Sequence, residues 1–426
     1  MKKEIEQNQY NFYKKIIKKI FINPNNSSLN TFGYLSNSDK FSYTYMEYKL
    51  NKIKIFNFLF HYIKNFFSVF YFSNYTLHQS KIHKDSQKLI ITWGKKNDFD
   101  TKGNFIDRYC GIKSKKEKKT IFIVQYEDDF LPSKISENII ILKKNKKKNF
   151  PLYLIYQIFK ESHSIIQFIN CLSHNSLYAV LFYNKINYEL KNININKILM
   201  PYEGQLCQKY FIEKIKNRNI KIIGLIHTFL QPIPFNIFYN KLCSPDKLIV
   251  NSFTQKKCLT KYMNWSDKFI MIKNSTRFFR SANQDMSRKI FFPYEIVNYK
   301  KLKIFFKKFL ISNKKISFID YKVQVHPSKI NNIQHLKFKE SILKIISAKK
   351  NEMITKSKYT ISIFFEYTSA IIEALERRVG VFQICNNPIL QVYTSFFWEG
   401  IKIKKITDNI FEYKIVKKNK LIRMKD

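Results

Sequence analysis

Short, uninterrupted apolar runs that alternate with helix-like segments constrain the fold of this chain more than any other feature. From Lys88 onward the runs are rich in β-branched and aromatic residues, and the first of them cover 89–93, 121–124, 139–142, 178–182, 197–200 and 221–226. Continuous rather than alternating apolar character is typical of strands buried on both faces of a parallel sheet. Helix-like stretches such as 152–162 and 206–218 separate several runs. The sequence therefore predicts an α/β fold built from βαβ units.

A second series of the same kind suggests a second domain. Its runs cover 247–250, 269–272, 316–325, 359–365 and 379–384, and Gln231-Pro232-Ile233-Pro234 breaks regular structure before it. The chain has 426 residues, enough for two cores. We expect two Rossmann-like domains facing a cleft, with a helical N-terminal extension. The predicted divisions are an aromatic, helical extension at 1–85, a first domain at 86–240, a second at 241–400 and a basic, irregular tail at 401–426.

The formal charge of +45 raises the question of a nucleic-acid partner. The chain has 76 Lys and Arg, of which 8 are Arg, so that 76 − 8 leaves 68 Lys. Specific phosphate recognition favours the planar fork of Arg, whereas scattered Lys side chains act as solvated point charges. Compositional bias with solvated faces is the favoured interpretation, and nucleic acid is not an expected partner. Attraction to anionic lipid or polysaccharide remains open.

Cysteine usage and the first residues indicate a cytoplasmic protein. The six cysteines are widely spaced and form no Cys-x-x-Cys motif, as reduced and mostly buried thiols would. The chain begins with polar residues rather than the apolar core of a signal peptide. Residues 55–75 are rich in aromatic and apolar side chains, but His61 and Lys64 interrupt them. We expect an amphipathic helix there, either buried or lying on the inner face of a membrane.

Polar residues follow two neighbouring strands of the first series. Glu203 and Gly204 come after the run at 197–200, and His227 comes after the run at 221–226. Ligands of open α/β folds bind at the carboxyl ends of strands, where a carboxylate can take a proton from an attacking hydroxyl. The alternatives are that Glu203 caps the helix that starts near Gln205 and that His227 is a structural histidine.

The second series has polar strand ends of its own. His326-Pro327-Ser328 closes the run at 316–325, and Thr368-Ser369 precedes a helix in which Glu373 lies one turn later. An imidazole and two hydroxyls beside a helix N-terminus suit a phosphate group, and Glu373 could meet a ribose hydroxyl. An ordinary helix cap accounts for Thr368 and Ser369 equally well. Together with Glu203, these residues suit transfer from a phosphate-activated donor.

A loop rich in carboxylates, residues 98–109, is a further candidate. It contains Asp98, Asp100 and Asp107, but its spacing does not fit a calcium-binding EF-hand loop and no closing Glu follows. An acceptor-side loop and a structural turn are the two interpretations that fit. The sequence contains no P-loop, dinucleotide-binding Gly-rich fingerprint, zincin helix or serine-nucleophile elbow.

In their order along residues 88–400, these motifs resemble bacterial surface-carbohydrate biosynthesis proteins, namely sialyltransferase-like and capsular Kdo-transferase-like glycosyltransferases of the GT-B fold. The motifs that carry the resemblance are Trp93-Gly94, Asp98-Phe99-Asp100, Asp107-Arg108-Tyr109, Tyr202-Glu203-Gly204-Gln205, 223–227, 274–278, His326-Pro327-Ser328 and Thr368-Ser369-Ala370 with Glu373. Such proteins make capsule or lipopolysaccharide.

The resemblance implies a role for each motif. In the sialyltransferase-like enzymes the carboxylate before Gly is the base, which corresponds to Glu203, although Tyr202 stands where the family has a first acid. The His-Pro pair contacts the leaving nucleotide phosphate, which corresponds to His326, and a hydroxyl pair binds the same phosphate. The implied donor-side residues are Ser328, Thr368, Ser369, Glu373 and Arg277, and the implied acceptor-side residues are Asp98, Asp100, Asp107, Gly204, Gln205 and His227.

The predicted function is transfer of a sugar from a CMP-linked nucleotide donor to a surface polysaccharide or glycolipid. The resemblance implies inversion at the anomeric carbon, no metal and no cofactor besides the nucleotide sugar. The expected location is the cytoplasm, with peripheral contact to the anionic inner membrane. The alternative is a non-catalytic or degenerate relative that binds an anionic glycan or nucleic acid through its Lys-rich surface.

Overall fold

The computed structural model describes residues 2–21, 67, 69–70, 72–79, 81–148, 150–273, 285–296, 298–313, 320–348 and 361–416. Within these ranges the strands form two sheets, each dominated by parallel pairs. The prediction of an α/β fold with two Rossmann-like βαβ units is thereby confirmed.

The first sheet contains eight strands among the described residues, in the order β1-β4-β3-β2-β5-β6-β7-β8. The strands are β1 (Ser73–Gln79), β2 (Lys88–Gly94), β3 (Thr120–Tyr126), β4 (Ile139–Lys148), β5 (Lys197–Pro201), β6 (Lys221–Leu225), β7 (Lys247–Val250) and β8 (Ile270–Ile272). The helices that accompany it are α2 (Leu152–Glu161), α3 (Ile165–Cys171), α4 (His174–Glu189), α5 (Leu206–Ile215) and α6 (Phe253–Tyr262).

All strand pairs of this sheet are parallel except β1 with β4. All seven residues of β3 are buried, which explains its continuous apolar run. In the register, Lys88 of β2 pairs with Lys197 of β5, and Lys197 pairs with Lys221 of β6. The carboxyl ends of β2, β5 and β6 therefore meet at one edge, where polar loops can converge.

The apolar run at 178–182 is a helix, and the prediction of a strand there is wrong. It lies inside α4, whose N-cap Ser173 accepts a hydrogen bond from the Ser176 N–H at 3.1 Å. Leu177, Val180 and Phe182 are all buried. Because α4 packs against both α2 and α5, nearly all of its sides are apolar, and its sequence reads like a buried strand.

The second sheet has the order β10-β9-β11-β12-β14-β13. Its strands are β9 (Lys289–Phe291), β10 (Lys322–Gln324), β11 (Ile361–Phe365), β12 (Gly380–Ile384), β13 (Ile401–Thr407) and β14 (Ile410–Ile415), and its helices are α7 (Tyr299–Ser312), α8 (Ile333–Ala348), α9 (Ala370–Glu376) and α10 (Pro388–Gln391). Strands β9 to β12 pair in parallel, whereas β14 is antiparallel to both β12 and β13.

Two of the predicted divisions differ from the strand pairing. Strands β7 and β8 lie beyond residue 241 but belong to the first sheet, where β7 pairs with β6 and β8 pairs with β7. The Pro-containing segment before them is a packed crossover in which Ile233 and Phe235 are buried. The described part of the tail predicted as irregular, residues 401–416, forms the β13–β14 hairpin. In β13, buried Ile401 and Ile403 alternate with exposed Lys402 and Lys404, the pattern of a strand with one solvated face. The division into domains stays a prediction.

The N-terminal extension contains both helix and strand where it is described. Helix α1 (Lys2–Phe21) packs on the segment around α10, since the Gln9 side-chain amide donates to the carbonyls of Ile389 and Val392 at 2.8 and 2.7 Å. Residues 73–79 are strand β1 rather than the predicted helix, and residues 55–66 lie outside the described part of the chain. Among the described helices, none combines the length and the apolar character needed to cross a membrane.

Candidate functional site

The loop between β5 and α5 carries Glu203 and is held by one amide side chain. The Gln208 side-chain oxygen accepts hydrogen bonds from the Glu203 and Gln205 N–H groups at 3.0 and 3.2 Å, and its amide nitrogen donates to the Pro201 carbonyl at 2.6 Å. Gln205 is the N-cap residue of α5. Hydrogen bonds to Gln208 of α5 therefore fix the backbone both before and after Glu203.

Gly204 lets this loop pass against a neighbouring segment. Its φ is +66°, a left-handed conformation that glycine adopts without strain. A Cβ atom at this position would lie 1.9 Å from the Asn236 carbonyl oxygen. No other residue type fits here without displacement of the loop, so Gly204 is a structural requirement for the position of Glu203.

Glu203 faces the histidine that ends the neighbouring strand. His227 Nε2 lies 3.4 Å from Glu203 Oε1, and the Gln205 side-chain amide donates to Glu203 Oε2 at 3.0 Å. The His227 side chain is 4 % exposed and the Glu203 side chain 40 %. The imidazole is enclosed by aromatic rings, with the Tyr109 centroid at 4.6 Å and the Trp93 centroid at 6.1 Å. A solvent-accessible carboxylate backed by a buried imidazole is a suitable acceptor for a proton.

Tyr202 does not belong to the exposed part of this site. Its side chain is fully buried in the core of the first sheet, where burial raises the pKa of its phenol well above the usual value. The Lys209 ammonium nitrogen lies 5.9 Å from the centre of the Tyr202 ring. The residue that replaces the expected first acid thus serves packing, and Glu203 is the carboxylate that this loop presents to solvent.

The carboxylates of the 98–109 loop hold turns together. Asp98 is buried and pairs with Arg108 Nε at 2.6 Å, and desolvation raises its pKa. Asp107 is also buried and accepts hydrogen bonds from the Thr92 hydroxyl and from the Tyr109 N–H at 2.9 and 3.0 Å. Because this loop carries Tyr109 against His227, its contribution to the site is the packing of that ring.

The exposed Asp100 has a similar local function. Its carboxylate accepts hydrogen bonds from the N–H groups of Lys102 and Asn104, both at 2.9 Å, and from the Asn104 side-chain amide. These bonds lower the pKa of Asp100, with the Asn104 side chain as the largest cause. The contacts describe a tight turn, the second of the two interpretations open from the sequence.

His326 and Ser328 lie at the carboxyl end of β10. The Ser328 N–H donates to His326 Nδ1 at 3.3 Å, and the Tyr294 ring contacts the imidazole with its centroid 5.5 Å away. An imidazole that accepts at Nδ1 carries its proton at Nε2, which makes Nε2 the donor. The backbone turn of Pro327–Lys329 thus sets the direction in which His326 can donate.

Thr368 and Ser369 lie at the carboxyl end of β11, directly before α9. The Thr368 hydroxyl oxygen accepts a hydrogen bond from the Ala370 N–H at 3.3 Å, whereas Ser369 makes no side-chain cap bond. Glu373 lies in the first turn of α9. In the sheet, β9 separates β10 from β11, so that these two parallel strands run about 10 Å apart and end at the same edge. Arg277 lies outside the described residues.

Tyr367 connects the two groups of residues. Tyr367 is half-buried, and the pKa of its phenol is raised first by desolvation and further by the negative charge of Glu203. The Tyr393 ring contacts the Tyr367 ring, with the two centroids 6.0 Å apart. The Tyr393 hydroxyl donates a hydrogen bond to the Leu230 carbonyl at 2.9 Å. Because Tyr393 contacts Tyr367 and bonds to Leu230, shortly after His227 in the chain, the segment that follows β6 lies close to the segment that follows β11.

Glu366 is a candidate that the sequence reasoning missed. It is buried at the end of β11 with φ +50°, a conformation that is costly for a residue with a Cβ. Its carboxylate accepts hydrogen bonds from the backbone and side-chain N–H groups of Asn386, and its carbonyl accepts one from the Gln383 side chain at 2.6 Å. The sequence offered one signal for Glu366, its position directly before Tyr367 and Thr368. It did not reveal the buried hydrogen bonds to Asn386 and Gln383.

Among the described residues, no group of three or more His, Cys, Asp or Glu side chains is arranged to hold a metal ion. The six cysteines are free thiols, five of them buried.

Comparison with known proteins gives distant similarities in structure. No protein-family model matches the chain, and neither does any curated protein. Similar solved structures include a UDP-N-acetylglucosamine 2-epimerase from Rickettsia bellii, with 12 % identity, TM-score 0.36 and coverage of 70 % of this chain and 78 % of that one. A glycosyltransferase from Rickettsia africae has 13 % identity, TM-score 0.32 and coverage of 71 % and 86 %.

A third similar structure is the lipopolysaccharide outer core galactosyltransferase WaaB in its apo form. It has 10 % identity, TM-score 0.28 and coverage of 69 % of this chain and 80 % of that one. Similarities at this level do not indicate a reaction, so the functional argument depends on the residues of the site itself.

Proposed function

We propose that the protein is a glycosyltransferase that moves a sugar from a CMP-linked donor to a surface polysaccharide or glycolipid. The observation that carries this proposal is the pair formed by Glu203 and His227 at the carboxyl ends of adjacent parallel strands. The half-exposed carboxylate accepts a proton, and the buried imidazole orients it. The donor-side residues His326, Thr368 and Ser369 lie along the corresponding edge of the second sheet.

The reaction we propose is a single displacement with inversion and without a metal ion. The acceptor hydroxyl oxygen attacks the anomeric carbon while Glu203 takes the hydroxyl proton. The bond between that carbon and the phosphate oxygen breaks, and its electron pair stays on the phosphate of the departing CMP. A hydrogen bond from His326 Nε2 stabilises the charge that develops there.

The structure also suggests how the hydroxyl pair contributes. Ser369 makes no side-chain cap bond at the start of α9, and the Thr368 hydroxyl accepts only a long bond from Ala370. Both hydroxyls are half-buried beside Tyr367. We assign them to the phosphate of the nucleotide, with Ser328, Glu373 and Arg277 as further donor-side residues, and Gln205 and His227 as the acceptor-side residues that contact Glu203. We place this activity in the cytoplasm, at the inner face of the membrane.

A nucleotide screen tests the proposal, because a ligand that binds only the folded state raises the melting temperature. Stabilisation by CMP, but not by UDP, ADP or RNA, is the expected result. Stabilisation by UDP alone would still support a glycosyltransferase, but one whose donor is a UDP-linked sugar. No response to any nucleotide would contradict the proposal.

A polyanion-binding protein is the second candidate, and one feature favours it. A pocket of about 520 Å³ lies at the amino edge of the first sheet, and its lining includes Lys88, Lys116, Lys118, Lys119 and Lys197. Lys88 is paired with Glu117 at 3.2 Å, and the pocket is open to solvent. Stabilisation by RNA or an anionic polysaccharide without any effect of CMP would favour this candidate.

A further inference from the structure

Helix α2 is apolar on two opposite sides. Leu154 and Ile158 are buried against the domain core. On the other side, Leu152, Tyr156 and Phe159 recur at helical spacing and are 68 %, 62 % and 52 % exposed. A helix of a globular protein normally turns a polar side to water, so the second apolar side calls for a partner.

Neighbouring residues extend this exposed surface. Tyr153 is 66 % exposed, and Phe150, just before the helix, is exposed and stacks on Phe70 with a centroid distance of 4.8 Å. Ile165 and Ile169 of α3 are exposed as well. We call the surface formed by Phe150, Leu152, Tyr153, Tyr156 and Phe159 the aromatic face.

Basic residues flank the aromatic face in the sequence. In the stretch 143–160 there is no Asp or Glu, and the lysines are Lys143, Lys144, Lys146, Lys147, Lys148 and Lys160. The acidic residue that ends α2, Glu161, is already engaged, since it pairs with Lys214 at 2.9 Å. Strand β4 continues past the point where β3 ends, because Lys143 pairs with Tyr126, the last residue of β3. The backbone of β4 from Lys144 to Lys148 thus extends beyond the end of β3 and pairs there with β1.

We propose that the aromatic face docks the protein onto an anionic phospholipid surface, with the aromatic rings in the interfacial region and the lysines among the headgroups. Aromatic rings and Lys side chains are the groups that suit the interface between water and hydrocarbon. Each Lys near an anionic surface adds attraction, whereas a second copy of this chain would bring like charges together. Charge complementarity therefore favours lipid over self-association.

A hydrogen bond and an ion pair connect α2, the helix that carries most of the aromatic face, to the helix beside the candidate site. Glu161, the last residue of α2, accepts a hydrogen bond from the Tyr210 hydroxyl at 2.6 Å and pairs with Lys214 at 2.9 Å. Both partners lie on α5, the helix that begins just after Glu203. Docking would thus hold the carboxyl edge with Glu203 near the membrane surface. The inference does not depend on the proposed transfer, because lipid binding is measured without a sugar donor.

Co-sedimentation of the full chain with vesicles tests the inference. Vesicles of phosphatidylcholine alone are compared with vesicles of phosphatidylcholine and phosphatidylglycerol. The test variant combines Leu152→Gln, Tyr156→Gln and Phe159→Gln, since Gln is a good helix former. The control variant combines Tyr188→Gln, Ile304→Gln and Ile311→Gln, three exposed apolar residues on helices elsewhere. Circular dichroism and melting temperature confirm that both variants are folded.

We expect the wild type and the control variant to bind the anionic vesicles and the test variant to bind at least about tenfold more weakly. Wild-type protein that stays in the supernatant with both kinds of vesicle would overturn the inference. Equal binding by the test variant would overturn the assignment of the aromatic face. If the wild type forms a dimer and binds no vesicles, and the test variant is a monomer, a second copy of the chain covers this face instead.

Discussion

Gly204 lies so close to Asn236 that a Cβ atom added to it would come within 1.9 Å of the Asn236 carbonyl oxygen. Gly204→Ala should therefore lower the free energy of unfolding by more than the roughly 1–2 kcal/mol that a left-handed backbone conformation costs an alanine, and it should displace Glu203. Gly111→Ala is the matched control, since Gly111 has φ +71° but is exposed. Urea denaturation measures both variants. Equal losses of stability would mean that the loop accommodates a side chain at Gly204.

Glu366→Gln should weaken nucleotide binding as well as stability. The substitution removes the charge that holds Asn386, so a stability loss of about 1–3 kcal/mol is expected. The turn that carries Thr368 should then lose its fixed position. Calorimetry with CMP and urea denaturation measure the two effects, with Glu412→Gln in β14 as the control. Lower stability with unchanged CMP affinity would leave Glu366 a structural residue only.

His326→Ala should lower the affinity for CMP by about tenfold, the value of one hydrogen bond to a charged group. The reason is the loss of the Nε2 donor that the bond between Ser328 and Nδ1 orients. His83→Ala is the control, because His83 pairs with Glu137 on the surface, at 2.7 Å. Calorimetry that finds the same CMP affinity for wild type and His326→Ala would remove His326 from the donor site.

His335 should make the folded state sensitive to acid. Desolvation lowers the pKa of its buried imidazole, whose nitrogens contact the Tyr299 hydroxyl at 3.0 Å and the Pro293 carbonyl at 3.2 Å. Because the pKa is lower in the folded state, the unfolded state binds the proton first as pH falls. The stability present above about pH 6.5 is therefore lost below it, by at most about 1.4 kcal/mol per pH unit.

The comparison of wild type with His335→Gln isolates this contribution. Free energies of unfolding are measured in urea at about pH 7.5 and about pH 5.5, on either side of the ordinary histidine pKa. The variant starts from a lower stability but should lose less of it on acidification. An identical loss in both proteins would mean that His335 keeps its ordinary pKa in the folded state.

Local patterns predicted the elements of this fold better than its connections. The placement of Glu203 and His227 after neighbouring strands followed from the periodicity of βαβ units, and their contact agrees with it. The prediction of a strand at 178–182 was wrong, because a helix that is covered on nearly all sides has the same apolar composition as a buried strand. The pairing of β7 with β6 depends on tertiary contacts, so the sequence could not place that boundary.

The roles of individual side chains were hardest to foresee. Asp98 and Asp107 were predicted on the acceptor side, and both are buried: Asp98 pairs with Arg108 of the same loop, whereas Asp107 accepts hydrogen bonds from Thr92 of β2 and from the Tyr109 N–H. Glu366 attracted no attention, since its left-handed backbone and its bonds to Asn386 arise only when β11 and β12 lie side by side. Tyr202 marked a departure from the expected acid, and its burial shows that the position belongs to the core.

Turnover of Glu203→Gln tests the central claim most directly. The measurement is CMP release from a CMP-activated donor in the presence of acceptor, with CMP affinity by calorimetry alongside and Glu117→Gln, at the amino edge, as the control. If Glu203 is the base, turnover falls by about 10²- to 10⁴-fold while CMP affinity stays nearly unchanged. Turnover equal to that of the wild type would contradict the assignment of Glu203 as the catalytic base.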